Sequence, residues 1–107
     1  MIIGFDIDGT ITRHLGFFSF LTTALIEKGH KVIIITSRND KVITDKDLKG
    51  WGIVYSELVV ADYAANEDLD KWKAKVCIEK GVEVYFEDDP DVINILSREI
   101  ATFMATN

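Results

Sequence analysis

The chain has 107 residues, 48% of them hydrophobic and 28% charged, with a single proline, which fits one packed core and excludes both a disordered chain and a core with a separate substrate domain. A net charge of −6 argues against duplex nucleic-acid binding through a broad basic surface. Cys77 is the only cysteine, so no internal disulfide can form and a reducing, cytoplasmic setting is expected.

Ile2 to Ile7 is a continuous apolar, β-branched run, the pattern of a strand covered on both faces. It runs into Asp8, Gly9 and Thr10, so two carboxylates, Asp6 and Asp8, sit where a buried strand meets a tight turn. Phe17 to Lys28 carries apolar residues at helical spacing, with Gly29 as the C-terminal cap. The longest uncharged apolar run, Leu15 to Ile26, is too short to span a bilayer, and the N-terminus shows no basic leader, so no membrane association is expected. Lys31 to Thr36 is a second buried strand giving way to polar Ser37 and Arg38. Thr44 to Lys49 is a short helical segment, and a weaker third strand falls within Ile53 to Ala61. Asp68 or Asp70 starts a helix that runs to Glu79 or Lys80. Val82 to Phe86 is a fourth strand, and a last helix opens at Asp89-Pro90-Asp91 and extends to about Phe103, with capping as the expected role of Asp91.

Alternating strands and helices predict right-handed crossovers and a three-layer, Rossmann-like α/β fold with a mostly parallel sheet of about four strands. Ligands of such sheets sit beyond the carboxyl ends of the strands. There the sequence places Asp6 and Asp8, then Thr36, Ser37 and Arg38, then Glu87, Asp88 and Asp89. Like charges at buried strand ends persist when a cation relieves them, and an all-oxygen donor set suits Mg²⁺. The hydroxyls of Thr36 and Ser37 could hold a phosphate oxygen. On a helical wheel Lys73 falls on the face carrying Leu69, Trp72, Val76 and Cys77, so it points toward the core and could neutralise Asp6 or a phosphate. Phe17, Phe18 and Phe20 exceed what one helix face needs, which leaves room for an additional contact surface.

These motifs resemble those of the haloacid dehalogenase-like (HAD) phosphohydrolases: Asp6-Ile7-Asp8-Gly9-Thr10 is similar to the first motif, Thr36 to the second, Lys73 to the third and Asp88-Asp89 to the fourth. Finer similarities around Gly29-His30-Lys31, Thr44 to Trp51 and Lys73 to Cys77 point to the nucleotidase-like branch. The resemblance implies a phosphomonoesterase in which Asp6 attacks phosphorus to form an aspartyl-phosphate, and Asp8 protonates the leaving oxygen and then activates water. It also implies Mg²⁺ held by Asp6, the Asp8 carbonyl and Asp89, with Asp88 assisting. Thr36, Ser37, Lys73 and the main-chain amides of Ile7 and Asp8 would bind the phosphoryl group.

Two departures stand out. Neither usual insertion point has room for a cap domain, and Ile93 stands where the family carries a trailing acid. A capless site implies a bulky phosphorylated substrate, or a homo-oligomer whose second copy acts as the lid. The alternative from another class is a phosphate- or metal-binding regulatory module with little turnover. A response-regulator receiver is a third reading, supported only by Asp62 near the third strand.

Overall fold

A computed structural model describes residues 1–65 and 68–106. Its elements in chain order are β1 (Ile2–Phe5), a 3-10 turn (Ile11–Arg13), α1 (Leu15–Glu27), β2 (Lys31–Thr36), α2 (Lys41–Gly50), β3 (Glu57–Val60), α3 (Leu69–Glu79), β4 (Val84–Glu87), α4 (Pro90–Leu96) and β5 (Ala101–Met104). The strands form one sheet in the order β3-β2-β1-β4-β5, and every pairing is parallel. The chain winds outward from β1 through β2 to β3, then returns to lay β4 against the other side of β1. Strand direction is constant while connection direction reverses, so a crevice opens between the carboxyl ends of β1 and β4. The receiver reading is overturned here, since that fold orders its strands 2-1-3-4-5.

Alternation along β2 explains the layers. Val32 and Ile34 face a core with Ile3, Phe5, Phe18 and Leu48, which places α1 and α2 on that side. Ile33 and Ile35 face Ala74, Cys77, Tyr85, Val92 and Leu96, under α3 and α4. Both faces of β2 are dry, which is why its sequence is an unbroken run rather than an alternation. Gly4 interrupts β1 for a packing reason: a Cβ there would lie 2.8 Å from Cδ1 of the buried Tyr85 ring. Among the described residues no helix is long and apolar enough to cross a membrane.

Four expectations need correction. The sheet has five strands, because the helix expected to reach Phe103 ends at Leu96 and Ala101–Met104 pairs with Val84–Glu87 instead. Phe103 then stacks on Phe86 with ring centres 5.4 Å apart, a nonlocal contact that outweighs helical continuation. α2 starts at Lys41, where the Asp40 carboxylate accepts the Ile43 N–H; Val42 and Ile43 are exposed, so no apolar period marks that turn. α1 begins two residues before Phe17, immediately after the 3-10 turn. The capping oxygen of α4 comes from Asp89, which accepts the Asp91 N–H at 2.9 Å, while Asp91 itself sits in the first turn.

Candidate active site

Asp6 is the first residue after β1, fixed by its N–H donating to the Phe86 carbonyl at 3.0 Å. Its carboxylate is almost wholly buried. One oxygen accepts from Lys73 Nζ at 2.6 Å and the other from Thr10 Oγ1 at 3.0 Å. Lys73 reaches it from α3, on the core-facing side that the helical wheel indicates, and is itself buried. Its Nζ also donates to Glu87 Oε1 at 3.1 Å.

Glu87, at the end of β4, has a larger part in the site than a strand-end acid suggests from sequence. It is fully buried; Oε1 also accepts from the Tyr85 hydroxyl at 3.2 Å, and Oε2 accepts the N–H groups of Asp88 and Asp89 at 3.0 and 3.3 Å. Tyr85 and Glu87 stand two apart on one strand and so share a face, and the register of β4 decides that this face is the buried one. That shared face also explains Gly4, whose absent side chain gives the Tyr85 ring its place under Glu87.

Charge in this cluster does not balance. One ammonium serves two buried carboxylates, with Asp88 adjoining. Burial pushes the Asp6 carboxyl up to about 8 against the opposing pull of Lys73. For Lys73, burial works against the charge, yet Asp6 and Glu87 hold the ammonium above its ordinary value. Burial also works against an ionised Asp88, but hydrogen bonding with Asp6 carries its carboxyl below the usual range. Carboxylates outnumber the ammonium in this cluster, and that excess is what a divalent cation would relieve.

Oxygen atoms of Asp6, Glu87 and Asp88 lie within 4.8 Å of one another, and an all-carboxylate set suits a hard cation such as Mg²⁺. The residues present thus fit a divalent metal, although the acids expected to converge divide. Asp89 groups with Asp70 and Asp91, and the Asp8 carboxylate turns to Arg38. Gly9, with φ of +83°, lets Asp88 come close: a Cβ at that position would lie 2.1 Å from Asp88 Oδ2. Gly9→Ala should therefore lower the unfolding free energy by about 1–3 kcal/mol and displace Asp88, which thermal melts with and without Mg²⁺ would register as a lower Tm and a smaller metal-induced rise.

Asp8 stands at the rim, its side chain 59% exposed, gripped by Arg38. Nε and Nη2 donate to its two oxygens at 2.8 Å each, and these bonds hold the Asp8 carboxyl below its ordinary value. In the sequence Arg38 stands out only as a polar strand-end residue. Thr36 is buried and its Oγ1 accepts the Arg38 N–H at 3.1 Å, whereas Ser37 lines the cleft. The Ile7 side chain is in the core, and its carbonyl accepts N–H groups of Thr10 and Thr12 at 3.2 Å each, shaping the turn. The cleft has a volume of about 430 Å³ and takes in Asp6, Asp8, Ser37, Lys73, Asp88 and Asp89. A larger hollow of about 540 Å³ between α2 and β3 is lined by Lys41, Val42, Tyr55 and Leu58 with the part-exposed Asp45 and Glu57; the buried acids Asp6 and Glu87 meet instead in the smaller cleft.

Sequence comparison matches no known protein family and no curated protein. Structural comparison does find chains of the same fold. A chain of the Pnkp1/Rnl/Hen1 RNA repair complex superposes with a TM-score of 0.82 at 19% identity, over 97% of this chain and 42% of that one. A second structure of that complex gives 0.79, again at 19% identity, over 97% of this chain and 45% of its counterpart, so the chain spans less than half the length of either. The cobalt-bound deoxy-D-mannose-octulosonate 8-phosphate phosphatase from Haemophilus influenzae gives 0.60 at 13% identity, covering 96% of this chain and 67% of that one. With a five-stranded parallel sheet wound outward from β1 and acids at its switch point, the chain has a haloacid dehalogenase-like α/β fold, shared with phosphatases.

Proposed function

We propose that this chain is a Mg²⁺-dependent phosphomonoesterase of the haloacid dehalogenase-like family, with Asp6 as nucleophile. The observation that carries the reading is the Asp6 carboxylate itself: buried at the switch point, oriented by Lys73 and Thr10, and open to the cleft beside Asp8 and Asp88. Burying a carboxyl group this way is costly for folding, and it places an oriented oxygen nucleophile where α/β sheets bind ligands, one that a bound cation would hold in its ionised form.

In the proposed reaction an Asp6 oxygen forms a bond to phosphorus as the ester P–O bond breaks, and Asp8 gives a proton to the departing oxygen. Water then attacks the phosphorus of the aspartyl-phosphate and loses its proton to Asp8, releasing phosphate and restoring Asp6. Lys73 offsets the repulsion between the anionic nucleophile and the anionic ester. Ser37 and the amides of Ile7 and Asp8 offer donors to the phosphoryl oxygens, and buried Thr36 supports that turn through Arg38. A bound divalent cation, held by Asp6 and Asp88 with Glu87 or the Asp8 carbonyl beside them, would supply further neutralisation of the phosphate. The Arg38 fork keeps Asp8 anionic at rest, the form that accepts a proton from water. Acting as acid requires Asp8 to be protonated as substrate binds.

The substrate carries a phosphomonoester, and the absent cap leaves water exclusion to its bulk or to a second copy of the chain. The likeness to an RNA repair complex and to a sugar-phosphate phosphatase sets the range of a screen: an aryl phosphate, sugar phosphates, nucleotides and single-stranded oligonucleotides with phosphorylated ends. Turnover that needs Mg²⁺ and stops with chelator is the expected result. In parallel, Mg²⁺ should raise the melting temperature, contributing about 2.7 kcal/mol at 100 times its Kd. Asp88→Asn should blunt that rise more than Asp89→Asn, because Asp88 belongs to the cluster with Asp6. A wild-type protein that folds but shows neither turnover nor a Mg²⁺ shift would reject the reading.

A further inference from the structure

Arg38 is held on three sides. While its Nε and Nη2 grip Asp8, its Nη1 donates to Asp47 Oδ2 at 2.9 Å, and its Cζ lies 5.6 Å from the centre of the Trp51 ring. Asp47 belongs to α2 and Trp51 forms its C-terminal cap, one helical turn further on, so the two share a flank of the helix. Trp51 is anchored in turn, packed against the core on the α1 and α2 side. The guanidinium is thus fixed from behind by a carboxylate and across its face by an indole.

Stability alone does not account for this arrangement. Ion pairs as exposed as Arg38 with Asp8 and Asp47 contribute little to folding. Orientation does account for it. Asp8 sits on a loop with a largely exposed carboxylate, and a short side chain there turns freely unless a planar fork holds both oxygens. The fork can hold Asp8 only if it cannot swing itself, and Asp47 and Trp51 remove that freedom.

We propose that Asp47 and Trp51 are positioning residues for proton transfer, acting through Arg38 to fix where the Asp8 carboxylate stands at the rim of the cleft. The proposal rests on the phosphomonoesterase reading, in which Asp8 moves the proton. Neither residue lines the cleft, so their effect should be on turnover rather than on binding. It should also fall mainly on esters whose leaving oxygen needs a proton, since activated aryl phosphates depart without one.

The test compares kcat/KM on an alkyl phosphate and an activated aryl phosphate for Asp47→Asn, Trp51→Leu, Trp51→Phe and Arg38→Lys. Asp47→Asn and Trp51→Leu should lose about tenfold on the alkyl ester and clearly less on the aryl ester, with KM little changed. Trp51→Phe, which keeps an aromatic face, should restore most of the rate, and Arg38→Lys should not, because an ammonium makes no fork. Equal losses on both esters, or wild-type rates on both, would overturn the proposal. A second measurement does not depend on turnover: the Arg38 Nε–H in ¹⁵N-resolved NMR should exchange slowly with solvent in the wild type and faster in Asp47→Asn and Trp51→Leu. Unchanged exchange in folded variants would also overturn it. A wild type without turnover on any ester would instead reject the phosphomonoesterase reading, and the exchange rates would still decide whether α2 holds Arg38.

Discussion

Asp6→Asn is expected to abolish turnover on every phosphate ester, by a factor on the order of 10⁴ or more, while leaving a folded protein. The amide keeps the size of the carboxylate and one oxygen for Lys73 or Thr10, but it lacks the charged oxygen that would attack phosphorus. Stability should hold or rise, because the substitution removes a negative charge from a cluster in which one lysine faces Asp6, Glu87 and Asp88. Turnover of an aryl phosphate and a urea titration on the same preparation make the check. A folded variant with wild-type turnover would remove Asp6 as nucleophile.

Lys73→Met should be the most destabilising single change at the site. It removes the ammonium bonded to both Asp6 and Glu87, whose side chains are 4% and 1% exposed, and breaking a buried pair from one side costs about 3–5 kcal/mol. The penalty should grow as pH rises. In the unfolded chain Asp6 ionises near its ordinary 3.8, whereas burial already raises it to about 8 in the folded protein, so the folded state binds the proton more tightly and loses ground as the proton leaves. Without Lys73 the folded Asp6 rises further and the loss extends to higher pH. Combining Lys73→Met with Asp6→Asn should return a substantial part of the stability, since only Glu87 then remains buried without its cation. Urea denaturation of the two single variants and the double variant closes that cycle. Additive losses would mean that Lys73 stabilises the fold by packing rather than by charge.

The two central strands and α3 were legible because both faces of a parallel strand are dry and because α3 has a clear inward stripe. Those features placed Asp6, Asp8, Thr36 and Lys73 near one another before any coordinates. β5 was not legible: no glycine or proline separates it from α4, and its status depends on pairing with β4 and on Phe103 reaching Phe86. The first turn of α2 was hidden by Val42, 81% exposed, where a periodic reading expects burial. Within the site, a run of three acids cannot announce its own division of labour. That Glu87 turns inward to Lys73 and Tyr85 while Asp89 turns outward to cap α4 follows from strand alternation meeting a helix start, which requires the register of β4. The grip of Asp47 and Trp51 on Arg38 depends on how α2 docks beside β2, a tertiary relation absent from local pattern.

The pairing of Ile3 with Val84 bears on how the molecule is made. The strands that carry the two halves of the acidic cluster are more than eighty residues apart in the chain, so a nascent chain can lay β1 beside β2 and β3 long before β4 exists. Closing so long a loop is entropically slow, and the closing step also brings Glu87 and Asp88 up against Asp6. β4 therefore docks after β1, β2 and β3 have been made, at a step that electrostatic repulsion opposes, and Lys73 on α3 is the cation that faces Asp6 and Glu87 when the two strands meet.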